Sequence, residues 1–414
     1  MREHLLMGRR ANSTWSWRIA DAAAIGGIIF FAIYYLTALR FDDLFTSVDR
    51  QVDFRQWYGF PPVLAQHLQY PSVAWGNWRL PFPYLPSAAA MFMPLSALPQ
   101  MVAFALWLAL QAASLAVVLW TGLHLTGANR LQGRYLIALG AVLLTDNQIG
   151  WDFRTHNNNM FYLALVMAAL MTRVTLLSAL LLGISSNLKI YSGVLFFVFL
   201  WRREYRLALS MIVAAVLIAT ILPIAVFGFS GYVQLLEGWV GQALFYAPPA
   251  GEEAVLPADL WREASALIVG NEPHSVEASI LLRSSQAVWI ALVAGYLVFA
   301  TRPNVSAPEP QARLADVCVG LLAPLPFSIW FTPYHAVVLL PAHMLLLTVV
   351  ASEAWNVRIR CMALVTLVSC KSCNMRSPVN SAELSISSYL DLSSSRLASS
   401  DLDLTQFAAM CPTI

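Results

Sequence analysis

Apolar residues run along this chain in long blocks with short polar interruptions, and the blocks have the length of membrane spans. Each crossing of a bilayer takes roughly 20 apolar residues as a helix. Read that way, the pattern predicts spans at Ile19–Leu39, Pro83–Leu98, Met101–Leu123, Tyr135–Gly150, Asn158–Thr172, Val174–Trp201, Leu207–Phe229, Ser284–Thr301, Leu314–Phe331, Tyr334–Val350 and a short Ile359–Val368. From Leu80 to Asn129 there is no Asp, Glu, Lys or Arg. The expectation is an all-α polytopic integral membrane protein of about 10–11 transmembrane helices. Ile19–Leu39 reads as a retained span, because it exceeds a signal-peptide core and no small-residue cleavage site follows it. Residues 1–18 are then a cytoplasmic segment, 19–368 the membrane domain, and 40–82 and 228–283 its long outer loops. Residues 369–414 lose the apolar pattern and become Ser-rich, which predicts a disordered tail; a shifted reading frame would produce the same composition.

Composition supports the membrane reading. The chain is 58% hydrophobic and 12% charged, with a mean hydropathy of +0.63. A soluble domain carries about a quarter charged residues. A net charge of +2 without a basic run gives no reason to expect a nucleic-acid partner. Of the five cysteines, Cys370 and Cys373 are spaced as C-x-x-C but lack a second pair or nearby histidines, so no metal centre is expected.

Positive residues set the orientation. Arg2, Arg9, Arg10 and Arg18 place the N-terminus in the cytoplasm, and Arg202–Arg206, Arg302–Arg313 and the Arg358, Arg360 pair read the same way. Strict alternation of the spans satisfies these four sites. It also turns Arg130, Arg134 and Arg173 outward, and puts Gln148 and Asn157–Asn159 on the inner side.

The outer loops carry the candidate chemistry. Residues 40–82 hold Asp42, Asp43, Asp49, Asp53, Arg50 and Arg55 among Trp57, Tyr58, Trp75 and Trp78. Residues 228–283 hold Glu252, Glu253, Asp259 and Glu263 among Trp239, Tyr246 and Trp261. Aromatics there serve either as interface anchors or as platforms for sugar rings.

A family resemblance organises these residues. Val52-Asp53-Phe54-x-x-Trp57-Tyr58 resembles the Asp-Phe-x-x-Tyr-Tyr stretch of glycosyltransferase family 87, integral-membrane enzymes of the C superfamily. Pro83–Pro99 is similar to that family's proline-bounded second span, and Ala105-Leu106-Trp107 to its Leu-Trp pair. Asn147-Gln148-Ile149 with Asn157-Asn158-Asn159 resembles a Gly-Gln-x-Asn region, with Asn147 in place of Gly and extra residues between. Leu188-Lys189-Ile190-Tyr191 resembles Leu-Lys-x-x-Pro, with Ser192 or Gly193 where Pro is commoner. Phe331-Thr332-Pro333-Tyr334-His335 resembles a late Ser-Pro-x-x-x-His region. The resemblance covers residues 15–350.

It implies a hexosyltransferase, with mannose the first candidate sugar, that uses a polyprenyl-phosphate donor and inverts the anomeric centre. The implied acceptor is a glycolipid or growing glycan, and the implied place is the outer face of a bacterial inner membrane, among membrane lipids and in the service of the cell envelope. No cofactor is implied, since a monophosphate donor does not require a metal. Asp53 is the expected general base and Asp49 its substitute; the bland alternative is pairing of Asp53 with Arg50 or Arg55 on a wet loop. His335 is the second catalytic candidate, able to hydrogen-bond the phosphate or the acceptor. Lys189, inside an apolar block, is expected to bind the lipid phosphate, with snorkelling as the alternative. Arg55, Trp57, Tyr58, Gln148 and Asn158 complete the candidate substrate-binding set. His343, two turns beyond His335, reads as an interhelical partner.

Two other classes compete. A lipid-linked-glycan transporter or flippase predicts internal repeats and midplane charges; Lys189 favours it, but no repeat is seen. A glycan polymerase or ligase depends on arginines in a large outer loop, where 228–283 supplies only Arg262 and Arg283.

Overall fold

The computed structural model describes residues 2–37, 52–68, 72–75, 78–81, 84–245, 309–324, 333–352 and 359–367, with a few positions between 284 and 295 and at 355. The fold is that of the unit Met1–Leu364. It is built of helices α1 (Arg2–Thr37) and α2 (Val52–His67), the strands β1 (Ser72–Trp75) and β2 (Trp78–Pro81), then α3 (Pro86–Ser96), α4 (Gln100–Leu125), α5 (Arg134–Leu144), α6 (Asp146–Thr155), α7 (Asn159–Met171), α8 (Thr175–Leu188), α9 (Leu195–Trp201), α10 (Tyr205–Phe245), α11 (Glu309–Leu322) and α12 (Leu339–Ala351). Among the described residues, three helices are long and apolar enough to cross a membrane: Trp17–Tyr35, Gln100–Leu125 and Tyr205–Gly241. Shorter apolar helices fill the space between them. The protein is a helical, polytopic membrane protein, with one small hairpin among the described residues.

Sequence chemistry explains the main elements. α4 carries no charge or internal proline, starts after Pro99, and ends where Gly127 takes φ 75°. That left-handed conformation suits glycine and closes the last turn, with Gly127 N donating to the His124 carbonyl at 3.1 Å. α1 and α10 turn most of their apolar side chains outward; Phe30 is 64% exposed and Leu209 65%. Such faces are stable against lipid and not against water. α4 lies deeper, with Phe104, Trp107, Leu115, Val118 and Leu119 buried.

Contacts define two ends of the bundle. At one end Trp17 of α1 packs on Gly133, and the Tyr135 amide donates to Asp21 at 3.2 Å. Gln311 donates to the Thr126 carbonyl just past α4. Arg202, between α9 and α10, pairs with Glu204 at 2.9 Å and with Glu309 and Asp316 of α11; Arg313 pairs with Glu204 at 2.7 Å. Burial disfavours the Arg202 charge, but hydrogen bonds to Glu204 and Asp316 outweigh it and leave the pKa raised. Arg18, Arg130, Arg134, Arg202, Arg203 and Arg313 gather here, so this is the basic end. α1 rises from it alongside α5 and α6, since Gly27 meets Leu139 and Tyr35 reaches Asp146. α2 lies at the far end, where Leu68 packs on Gly231 of α10.

This geometry corrects the alternating topology. Pro83–Leu98 is not a crossing: α3 has 11 residues, about 16 Å of helix. Its C-terminal end is tied back to α2, with Ser96 Oγ donating to the Tyr58 carbonyl at 2.6 Å and Tyr58 OH to the Leu98 carbonyl at 3.0 Å. α4 therefore begins at the far end and descends to the basic end, bringing Arg130 and Arg134 with it. α7 descends beside α4, because Trp107 is level with His156 and Gly122 with Met167. Arg173, just past α7, consequently joins the other arginines. The predicted span Val174–Trp201 is also divided. α8 stops at Leu188, Lys189 is extended (φ −141°, ψ 102°), and a 3-10 turn Ile190–Val194 leads into the short α9. The chain goes up and returns to the basic end at Arg202. One crossing fewer at α3 and one return more at Lys189 bring Arg130, Arg134, Arg173, Arg202 and Arg203 to one end.

Other boundaries shift as well. Tyr135–Gly150 breaks at Thr145 (φ −109°, ψ 11°) into α5 and α6. The region 40–82 contains α2 and the hairpin, whose register pairs Val73 with Leu80 and Ala74 with Arg79. α10 runs on to Phe245 through a kink at Gly228 (φ 74°), so the second outer region begins as helix. α11 starts at Glu309, earlier than the predicted Leu314. The predicted span Ser284–Thr301 falls mostly outside the described residues, as do 246–283 and the Ser-rich tail 369–414.

α8 and α10 meet at Gly183. A Cβ there would lie 2.9 Å from the Ala215 amide nitrogen, and Asn187 Nδ2 bridges the pair by donating to the Gly183 and Ala215 carbonyls at 2.9 and 3.0 Å. Close approach through small residues is how helices pack where lipid removes the hydrophobic drive. Gly183→Val should lower stability by about 1–3 kcal/mol, the usual cost of overpacking. Gly26→Val, where a Cβ meets nothing within 4 Å, should leave it unchanged. Thermal unfolding in detergent micelles compares the two.

Candidate active site

The far end of the bundle is built on an aromatic stack. On α2, Phe54, Trp57, Pro61 and Leu64 fall at i, i+3, i+7 and i+10 and are all buried, the stripe of an amphipathic helix. Trp57 packs on Tyr84 and Phe92 with ring centroids 4.1 and 4.7 Å apart, and Phe54 on Phe104 at 5.0 Å. Trp107 lies 6.3 Å from Trp57. This bears on the expected sugar platforms. Trp57 is 0% exposed, and its ring is part of the packing that holds the core together. Tyr58 is half-buried, stacked on Phe54 at 5.7 Å, and its hydroxyl is engaged by Leu98. Asp53 and Arg55 share α2 with these residues; their side chains lie outside the described residues.

The stack leads to two polar groups. Lys189 Nζ donates to Tyr84 OH at 3.2 Å and sits 4.9 Å above the same ring. Lys189 is 6% exposed and sits at the break after α8, so the expected mid-helix lysine is a lysine at a broken helix. Ser192 holds the break: its hydroxyl and its amide both donate to the Lys189 carbonyl at 2.9 Å, and its hydroxyl accepts from Ser185 Oγ at 3.2 Å. Irregular backbone at membrane depth is tolerated where protein surrounds it.

The second group is the loop joining α6 to α7. Trp107 Nε1 donates to the His156 carbonyl at 3.0 Å. Gln111 Nε2 donates to the Asp152 and Asn157 carbonyls at 3.2 and 2.9 Å. The buried Asp152 carboxylate accepts from Asn159 Nδ2 at 2.9 Å and from the Met160 amide at 3.2 Å, which satisfies the start of α7. Tyr191 OH donates to Asn159 Oδ1 at 3.3 Å and ties this loop to the Lys189 break. Gln148 is buried on α6 with a partner of its own. Thus Gln148 and Asn157–Asn159 share the far half of the bundle with α2, and the inner-side placement is corrected. The reason is the same absent crossing at α3.

Two side chains of the loop make no hydrogen bond. His156 and Asn158 are both 0% exposed, and both ring nitrogens of His156 and both amide atoms of Asn158 make no hydrogen bond. Each such buried polar group costs about 1–3 kcal/mol. His156 also takes φ 56°, a left-handed backbone uncommon outside glycine, with its ring edge-on to Phe104 at 4.9 Å. The sequence reading named Asn158 but passed over His156 and Asp152. The signal available was a polar island, Asp152 to Asn159, between two apolar blocks.

α6 packs against the 3-10 turn Pro333–Val338, so the backbone bearing His335 adjoins the same region; the His335 side chain lies outside the described residues. His343, on α12, is buried with Nδ1 2.9 Å from Thr145 Oγ1, an interhelical partner. Among the described residues, no three His, Cys, Asp or Glu side chains gather as metal ligands would.

Four segments far apart in sequence therefore converge: α2, the break at Lys189, the α6–α7 loop and the turn at Pro333. No curated protein matches the chain. No solved structure matches it either. The sequence model of glycosyltransferase family 87 matches residues 82–328, a range that holds Lys189 and the α6–α7 loop and leaves Asp53 before it and His335 after it. That match covers more than half of the chain, and the protein belongs to glycosyltransferase family 87.

Proposed function

We propose that this glycosyltransferase moves a hexose, with mannose the first candidate, from a polyprenyl-phosphate donor to a glycolipid or glycan acceptor. The observation that carries the reading is the chain Trp57–Tyr84–Lys189. It ties a buried ammonium to the helix that bears Asp53. An intramembrane cation is costly unless it faces a partner or cavity, and a lipid phosphate is an anion delivered at that depth. In this mechanism Asp53 takes the proton of the acceptor hydroxyl. The acceptor oxygen attacks the anomeric carbon from the face opposite the phosphate. The carbon–oxygen bond to phosphate breaks, and its electron pair leaves on the polyprenyl phosphate beside Lys189. One displacement inverts the anomeric centre. His335 donates a hydrogen bond to the phosphate or the acceptor, and Arg55 is a further phosphate contact. The chemistry needs no cofactor.

The basic end is the cytoplasmic one in this reading, by the positive-inside tendency. The far end, with α2 and the α6–α7 loop, then faces outward from a bacterial inner membrane. A transfer assay in nanodiscs tests the donor: polyprenyl-phosphate mannose should support transfer into a membrane glycolipid extract, and a mannose nucleotide should not. Transfer from the nucleotide alone would sink the reading. Lys189→Gln should raise the donor KM roughly 10- to 100-fold, the equivalent of one charge-assisted hydrogen bond of about 1.5–3 kcal/mol. Steady-state kinetics against donor concentration measure it. An unchanged KM would remove Lys189 from the phosphate site.

A further inference from the structure

We infer that His156 and Asn158 form a second binding element, one that recognises the hydroxyl groups of a sugar ring; the inference rests on the glycosyl-transfer reading above. Three observations carry it. First, the two residues are next but one in sequence, fully buried, and leave all four of their side-chain polar atoms unpartnered. Buried polar groups in folded proteins are otherwise paired. An unpaired set of two donors or acceptors on each of two neighbouring side chains is what a bound ligand would complete.

Second, their surroundings are the opposite. The flanking groups of the same loop are fully engaged: Asp152 by Asn159 and Met160, the His156 and Asn157 carbonyls by Trp107 and Gln111, Asn159 by Tyr191. The loop is thus held rigidly by its neighbours while these two side chains are left unspent. His156 is also the left-handed C-cap of α6 (φ 56°), its amide closing the last turn, which fixes where the loop begins.

Third, the chemical character of the pair is neutral and bifunctional. An amide offers a donor and an acceptor, and a neutral imidazole offers one of each. Hydroxyls of a pyranose both donate and accept, so they match it. A phosphate only accepts, and Lys189 already stands nearer the break that suits it. The sugar could be that of the donor or that of the acceptor; the chemistry is shared.

The test uses purified full-length protein in nanodiscs, as wild type, His156→Phe, Asn158→Leu and His156→Asn. Three probes are titrated: polyprenyl-phosphate mannose, polyprenyl phosphate alone, and octyl mannoside. Melting temperature is read without any probe. Asn158→Leu keeps the volume and removes unsatisfied groups, so its melting temperature should hold or rise; His156→Phe keeps a ring beside Phe104 but must take the left-handed backbone, so His156→Asn is the stability control at that position. His156→Phe and Asn158→Leu should both weaken a sugar-bearing probe at least tenfold and leave polyprenyl phosphate alone unchanged. Loss on polyprenyl-phosphate mannose assigns the pair to the donor sugar, and loss on octyl mannoside to the acceptor. His156→Asn, which tolerates the left-handed backbone, should keep its melting temperature and weaken the same probe severalfold. Affinities within twofold of wild type for both sugar probes would overturn the inference and mean that internal water satisfies the pair. A lowered melting temperature in all three variants would also overturn it, since the groups would then be partnered within the fold. If wild type transfers mannose and the variants bind normally, only this inference fails. If wild type binds none of the probes, the glycosyl-transfer reading fails and takes the inference with it.

Discussion

Asp53→Asn should lower mannose transfer roughly 10²- to 10⁴-fold, the range lost with a general base, while the protein stays folded. Asparagine has the shape of aspartate and can still hydrogen-bond, but it cannot accept the acceptor's proton at neutral pH. The effect should fall on kcat with little change in donor KM, because the base acts on the hydroxyl and the donor is held elsewhere. Radiolabelled transfer at saturating donor measures it, with wild type and variant prepared side by side. Asp49→Asn is the companion: it should be near wild type, and a reversed result would move the base to Asp49. Equal transfer by wild type and both variants would remove the α2 region from the chemistry, although the family would stand.

Trp57→Ala should destabilise the protein by about 3–5 kcal/mol, the cost of deleting a large buried aromatic. The ring is enclosed by Tyr84, Phe92 and Trp107. Its loss removes the wall that positions α2 against α3 and α4, and also one side of the Tyr84 ring on which Lys189 rests. Activity should fall with stability, and Trp57→Phe should recover a large part of both. This separates two meanings of an aromatic near the candidate site. A sugar platform would lose donor or acceptor affinity at unchanged melting temperature; a core residue loses melting temperature first. Thermal unfolding and transfer on the same preparations decide between them.

Much of the fold was readable along the chain because bilayer insertion depends on local composition. The apolar blocks at Ile19–Leu39, Met101–Leu123 and Leu207–Phe229 overlap the three long apolar helices Trp17–Tyr35, Gln100–Leu125 and Tyr205–Gly241. The ordered motifs around Lys189 and Gln148 resembled a family that the match over residues 82–328 then supplied. The helix within 40–82 was not legible: the region reads as a loop because the paired prolines and the charged residues conceal the helical spacing of Phe54, Trp57, Pro61 and Leu64.

What only the tertiary structure decided was which blocks cross. Strict alternation treats every apolar block as a crossing. Yet α3 is too short to cross and is tied to α2 by Ser96 and Tyr58, while the block 174–201 turns back at Lys189, where Ser192 and Asn187 take over backbone and interhelical bonds. Composition alone does not register either event, because a returning segment and a crossing segment face the same apolar surroundings. The first of these events puts Asn157–Asn159 beside the far-end aromatics instead of opposite them, and the second returns the chain to the basic end at Arg202. The unspent hydrogen bonds of His156 and Asn158 were equally invisible in the sequence: whether a polar side chain is satisfied depends on what other elements bring to it, and here Trp107 and Gln111 reach the loop's backbone and not those two side chains.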